Sequence, residues 1–185
     1  MCLNEPTIRK ELKYTGRIFS VEQHHVTLPN GKTALRDVIL HNGAVAIIAI
    51  TPENKLVLVK QYRKGVEKML IEIPAGMLDK KGELPLAAAQ RELIEETRYE
   101  AREWEKVITM SMSPGYLSEE ITLFLAKGLF PTTLSHLTLD EDEFVEVLEL
   151  SRKDVEEYIK IGLISDAKTL YAILYWDLLV DRGVL

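Results

Sequence analysis

From Gly76 to Tyr99 the chain reads GMLDKKGELPLAAAQRELIEETRY, and the second half of this stretch governs how the rest is read. Pro85 suits a first helical turn, Ala87, Ala88 and Ala89 favour helix, and Leu86, Ala89, Leu93 and Thr97 form an inner stripe at helical spacing. Together they predict a helix over 85–97. Its polar side carries Arg91, Glu92, Glu95 and Glu96. Glu92 and Glu96 are spaced i,i+4 and Glu92 and Glu95 i,i+3, so three carboxylates crowd one face. Helix stability does not ask for this, since each such like-charge pair costs about a few tenths of a kcal/mol and the later acids lie toward the negative end of the helix dipole. Two carboxylates about 4 Å apart repel by roughly 4 kcal/mol at an effective dielectric of about 20. A divalent cation would relieve that repulsion, and ligands that are all oxygen favour Mg²⁺ or Mn²⁺ over zinc. The plainer reading is a solvated acidic face offset by Arg91 and Arg98.

Outward from this helix the pattern is largely strand. Ile18 to Leu28 and Thr33 to Leu40 flank the turn signal Pro29-Asn30-Gly31-Lys32. Ala44 to Thr51 is a continuous apolar run bounded by Asn42-Gly43 and Pro52, which predicts a strand buried on both faces. Leu56 to Tyr62 follows as its hairpin partner, and Leu70 to Ile73 stops at Pro74-Ala75-Gly76. Trp104 to Met112, Ile121 to Lys127 and Phe144 to Leu150 read as further strands. Two helices are predicted near Ser151 to Ile161 and Asp166 to Val180, with Ser151 and Asp166 as N-caps. One internal and two terminal helices among strands predict an α+β or layered α/β architecture.

The composition agrees with an ordinary globular chain. The 185 residues are 46% apolar and 28% charged, which excludes disorder and collagen-like repeats. A single cysteine, Cys2, cannot form an internal disulfide, so a reducing, cytoplasmic setting is expected. Apolar runs such as Ala44 to Ile50 fall short of the roughly 20 residues of a membrane helix, and the charged first 14 residues do not read as a signal peptide. Acids outnumber bases 29 to 23, a net charge of −6, which disfavours nucleic acid and, read alone, any anionic ligand.

The quoted stretch resembles the Nudix box, G-x5-E-x7-R-E-U-x-E-E-x-G-U with U apolar. Glu83, seven intervening residues and Arg91-Glu92-Leu93-Ile94-Glu95-Glu96 match in type and spacing. Two positions depart: six residues separate Gly76 from Glu83 instead of five, and Arg98 stands where the motif has glycine. Arg98 is expected to end the helix in the left-handed conformation at a cost of order 1 kcal/mol. The flanks Gln61-Tyr62-Arg63, Glu72-Ile73-Pro74-Ala75-Gly76, Ser113-Pro114-Gly115 and Asp140 to Val147 are similar to bacterial ADP-ribose pyrophosphatases, a likeness that runs from about Thr15 to the C-terminal helices.

That resemblance implies an α+β fold: a Nudix α/β/α sandwich with a mixed β-sheet over residues 42–185, plus an N-terminal antiparallel β-sheet region over 1–41 that forms a homodimer. It implies Mg²⁺-dependent hydrolysis of ADP-ribose to AMP and ribose 5-phosphate. Carried over by position, Glu92 and Glu96 are the principal metal ligands, with Glu95 close by and the Ala75 carbonyl completing the set. Arg91 pairs with carboxylates and holds the helix to its loop. Arg63 contacts the diphosphate, with Arg36 a second candidate, and Glu119 contacts substrate. Of the acidic loop Asp140 to Glu143, Glu141 is the first choice for the carboxylate that activates water and Glu143 the second. The expected partner is a small nucleoside diphosphate compound, with neither nucleic acid nor membrane. Two alternatives stand beside this: a Nudix hydrolase for a nucleotide sugar or dinucleotide, and a Nudix-like binding module without catalysis. The second alternative usually lacks box glutamates, whereas Glu92, Glu95 and Glu96 are all present here.

Other signals are weaker. Gly31-Lys32-Thr33 lacks the P-loop glycine, Val26 standing in its place. His24 and His25, adjacent on a predicted strand, point opposite ways and cannot chelate one ion.

Overall fold

A computed structural model describes residues 3–139 and 143–185. Cys2 and the proposed base Glu141, with Asp140 and Asp142, lie outside the described residues.

The chain divides into two compact units, Met1–Ala44 with Met110–Ile121, and Val45–Thr109 with Thr122–Leu185. The first contains a three-stranded antiparallel sheet of β1 (Thr7–Thr15), β2 (Phe19–Thr27) and β3 (Thr33–His41), in that order. The Pro29–Lys32 turn is built as its residues dictate. Leu28 donates its N–H to the Lys32 carbonyl (2.7 Å), and the Asn30 side chain accepts from the Lys32 N–H (3.0 Å). His24 bonds Glu22 and His25 bonds Glu11, so the two rings have separate partners. The mid-chain segment Met110–Ile121 joins this unit: Ile39 donates to the Tyr116 carbonyl (2.7 Å), and Ser118 donates back to the Ile39 carbonyl (2.9 Å).

The second unit is built on β4 (Ala44–Ile50), β5 (Leu56–Arg63), β6 (Lys68–Glu72), β7 (Ala75–Met77), β8 (Tyr99–Ser111), β9 (Glu120–Pro131) and β10 (Val145–Leu150). The order is β10-β5-β4-β9-β8, with β6 paired to β5 and β7 to β4 in a mixed sheet. β4 is buried throughout, as its unbroken apolar run requires. Its residues Val45, Ile47 and Ala49 pack in one cluster with Val57, Phe124, Ala126 and the helix residues Ala88, Ala89 and Leu93. That helix, α1, spans Pro85–Thr97, the predicted range. Its inner face differs in detail: Leu86 is 39% exposed, and Ala88 and Ile94 are buried instead. The alternate residues Ala46, Ile48 and Ile50 face the other way and are equally buried, which requires a second cover. Helices α2 (Arg152–Lys160) and α3 (Ala167–Asp181) follow, and α3 brings the buried Thr169, Ala172, Ile173 and Trp176. Ser151 caps α2 in a capping box with Asp154, and Asp166 caps α3 through the Thr169 N–H (3.2 Å). No helix among the described residues is long and apolar enough to cross a membrane.

Arg98 ends α1 in the left-handed conformation (φ 63°, ψ 21°). Its N–H donates to the Ile94 carbonyl (3.0 Å), while its guanidinium donates to the carbonyls of Leu137 and Leu134, the latter at 2.6 Å. These bonds offset the strain a glycine would avoid.

Candidate active site

Between β6 and β7 the Pro74 carbonyl accepts the Ile47 N–H of β4 (2.8 Å), and β7 packs against α1. Ala75 donates its N–H to Glu96 Oε2 (3.0 Å). Glu96 is 6% exposed, and this is its one hydrogen bond among the described residues. Burial pushes its carboxyl up to about 8, the Ala75 N–H opposes that rise, and the charges of Glu92 and Glu143 add to it. Glu92 is raised too, first by burial, against the pull of Arg91. The approach at Gly76 is closer still. A Cβ there would stand 1.9 Å from Glu92 Cδ and 2.1 Å from Oε1, so only a glycine leaves room for this carboxylate.

Arg91 gathers the rest. It donates to both oxygens of Glu83 (3.0 and 2.9 Å), to Glu92 Oε1 (2.6 Å) and to Glu95 Oε2 (2.7 Å). Among the described residues no three His, Cys, Asp or Glu side chains converge as a ready metal cage. The Arg91 guanidinium bonds one oxygen of Glu92 and one of Glu95, in the space between the acids. The donor set still fits a hard divalent cation. Glu96 keeps unused lone pairs in a buried position, Glu92 lies against glycine backbone, and every donor is oxygen. Glu92, Glu95, Glu96 and the Ala75 carbonyl could hold such an ion.

Arg63, at the end of β5, donates from Nε to Glu72 Oε1 (2.7 Å) and from Nη2 to Oε2 (3.0 Å). Its charge is near enough to act on Glu96. Glu143, the described residue of the acidic loop Asp140 to Glu143, raises both Glu92 and Glu96 by its charge. The second unit therefore brings together Arg63, Ala75, Arg91, Glu92, Glu95, Glu96 and Glu143. Arg36 and Glu119 belong to the first unit. Arg36 is held bidentately by Glu5 (2.9 and 2.8 Å), and Glu119 lies 3.4 Å from His41 Nδ1.

Sequence reasoning did not assign roles to Glu72 and Lys168. Glu72 is 2% exposed and Lys168 8%, and the two are ion-paired. Burial pushes Glu72 upward, but Arg63 and Lys168 outweigh it and hold the carboxyl below its ordinary range. The usable signal was a lone acid between the apolar residues Leu70, Ile71 and Ile73, since a charge buried at such a place must be paired.

This fold and this acidic helix define a diphosphate-handling domain, and the NUDIX domain family model matches residues 40–170. The chain belongs to the Nudix family, whose hydrolases generally use divalent metal ions. It is 48% identical to the methanol dehydrogenase activator of Bacillus methanolicus, covering 94% of this chain and 93% of that protein. It is 44% identical to the ADP-ribose pyrophosphatase of Bacillus subtilis (strain 168), covering 95% and 94%. A crystal structure of an ADP compounds hydrolase matches over 100% of both chains, with a TM-score of 0.85 and 25% identity.

Proposed function

We propose that this protein hydrolyses the diphosphate of ADP-ribose, with Mg²⁺, to AMP and ribose 5-phosphate. The observation that carries the reading is the nearly buried Glu96 carboxylate, held by one backbone N–H beside Glu92 at a glycine that admits no side chain. The likeness to the Bacillus subtilis enzyme supports the choice of substrate. When bound, Mg²⁺ supplies positive charge against the diphosphate oxygens and makes phosphorus more open to attack. Glu92, Glu95, Glu96 and the Ala75 carbonyl would hold it. Arg91 keeps the acids in register with the Glu83 loop. Arg63 donates to the non-bridging oxygens, and Arg36 and Glu119 are assigned to further substrate contacts. Glu143 or Glu141 accepts the proton of the attacking water. Water oxygen joins phosphorus, the bridging P–O bond breaks, and two phosphomonoesters leave. A cytoplasmic setting suits the single cysteine.

The test is phosphate release with a coupled phosphatase across nucleoside diphosphate compounds with Mg²⁺, then with a chelator. ADP-ribose should lead, and the chelator should abolish release. A preferred nucleotide sugar or dinucleotide would keep the chemistry and change the substrate. Preference for a nucleoside triphosphate, or no activity at all, would sink the proposal.

The Bacillus methanolicus relative favours a second reading, in which this chain raises the activity of a dehydrogenase. Added to purified methanol dehydrogenase, the protein should increase its rate; an unchanged rate removes this reading.

We also propose a homodimer formed through residues 1–41. In that segment Ile8 is 59% exposed, Leu12 64%, Tyr14 56% and Leu35 51%, large apolar side chains that contact with a second copy would cover. Light scattering at micromolar concentration should give the mass of two chains, and a monomer mass would count against it.

A further inference from the structure

Glu72 and Glu96 are the two buried acids among the described residues, and the proposed chemistry uses only Glu96. Glu72 has three bonds from two cations. Arg63 donates Nε and Nη2 to its two oxygens at 2.7 and 3.0 Å, two parallel bonds that set the plane of the guanidinium. Lys168 donates Nζ to Oε2 of the same carboxylate and to Asp166 Oδ1 at 2.9 Å. Lys168 sits in the first turn of α3, 96 residues from Glu72. Its neighbour Thr169, fully buried, accepts the Ile73 N–H at 3.0 Å. One helical turn thus holds both the Glu72 side chain and the backbone that leads into Pro74-Ala75-Gly76.

The charges explain why a lysine is useful there. Glu72 paired with Arg63 alone would cancel much of the guanidinium charge. Lys168 offsets that carboxylate from behind, and its own counter-charge is Asp166 at the helix N-cap. The Arg63 side chain is 38% exposed, and among the described residues its Nη1 has no hydrogen bond, so one edge of the fork is fixed and the other remains to donate.

We infer that Lys168 is a positioning residue for diphosphate binding, acting through Glu72 to hold the orientation and field of Arg63. The inference rests on reading Arg63 as the diphosphate ligand. The test is a double-mutant cycle on the full chain with ADP-ribose and Mg²⁺, using Lys168→Met, Arg63→Met and the pair, each checked for folding by circular dichroism. Lys168→Met should lower kcat/KM roughly tenfold, the scale of a slightly misplaced binding group. In the Arg63→Met background the same substitution should cost almost nothing, because the residue it acts through is gone. If Lys168→Met does not fold, Lys168→Gln, which keeps a neutral donor to Glu72, takes its place under the same criteria. Additive losses would show a merely structural lysine and overturn the inference, as would an undiminished kcat/KM in the Lys168 variant. An undiminished kcat/KM in Arg63→Met would instead remove the reading of Arg63, and this inference with it.

Discussion

Glu96→Gln is expected to lower Mg²⁺-dependent turnover by on the order of 10³-fold or more, the scale of losing a group that stabilises developing charge. Glutamine is nearly isosteric, and its amide oxygen can keep accepting the Ala75 N–H that Glu96 Oε2 accepts at 3.0 Å. What disappears is the negative charge in a place where burial and the charges of Glu92 and Glu143 already disfavour it. Burial disfavours the ionised form there, and a bound divalent cation is what would use its charge. Without metal the variant should therefore melt no lower than the parent, since an unfavourable carboxylate has been replaced by an amide. The two readouts are initial rates over a Mg²⁺ titration and a metal-free thermal melt. Full turnover in the variant would remove Glu96 from the metal site. A collapsed melt would show that its carboxylate serves the fold.

Gly76→Ala is expected to cost about 10²-fold in kcat/KM, the penalty of a reacting group moved by about 1 Å. The added Cβ would fall 1.9 Å from Glu92 Cδ, so either the backbone or the carboxylate has to give way. The carboxylate is the end of a flexible side chain, so it should move, and the fold should survive with little loss. Glu92 would then leave its place against Gly76 and its 2.6 Å bond to Arg91. Circular dichroism with steady-state kinetics separates the outcomes. A parent-like kcat/KM would mean that the position of Glu92 does not matter to turnover. The prediction also gives a physical reason for a glycine at the head of this stretch: the space is already taken by an acid 16 residues away.

The net charge of −6 bears on substrate differently once the acids are located. Several are gathered on α1, around Arg91, where a divalent cation would turn an acidic surface into one that accepts phosphate. The acidic balance still disfavours nucleic acid.

Much of the fold was legible in the chain because it rests on local rules. Helix α1 runs Pro85–Thr97 as its proline, alanines and periodicity require, and Ser151 and Asp166 cap the helices that follow them. The three glutamates share a face because 3.6 residues per turn place them there. Strand β7, only three residues at Ala75–Met77, is too short for any alternation to announce it. Leu86 was misread as inner because a stripe of four positions does not say where the sheet ends.

By itself, then, the sequence determined the acidic helix, the caps of the two helices that follow it, the buried β4 strand and the family pattern that joins them, all set by spacing within a few turns or strand repeats. Only the tertiary structure decided which charges meet. Arg63 bonds Glu72, Glu72 bonds Lys168 from 96 residues away, and Arg36 bonds Glu5 on its own unit. These pairings depend on which strands and helices lie side by side. A buried charge is tolerated where folding happens to bring it a partner, and no local spacing carries that information.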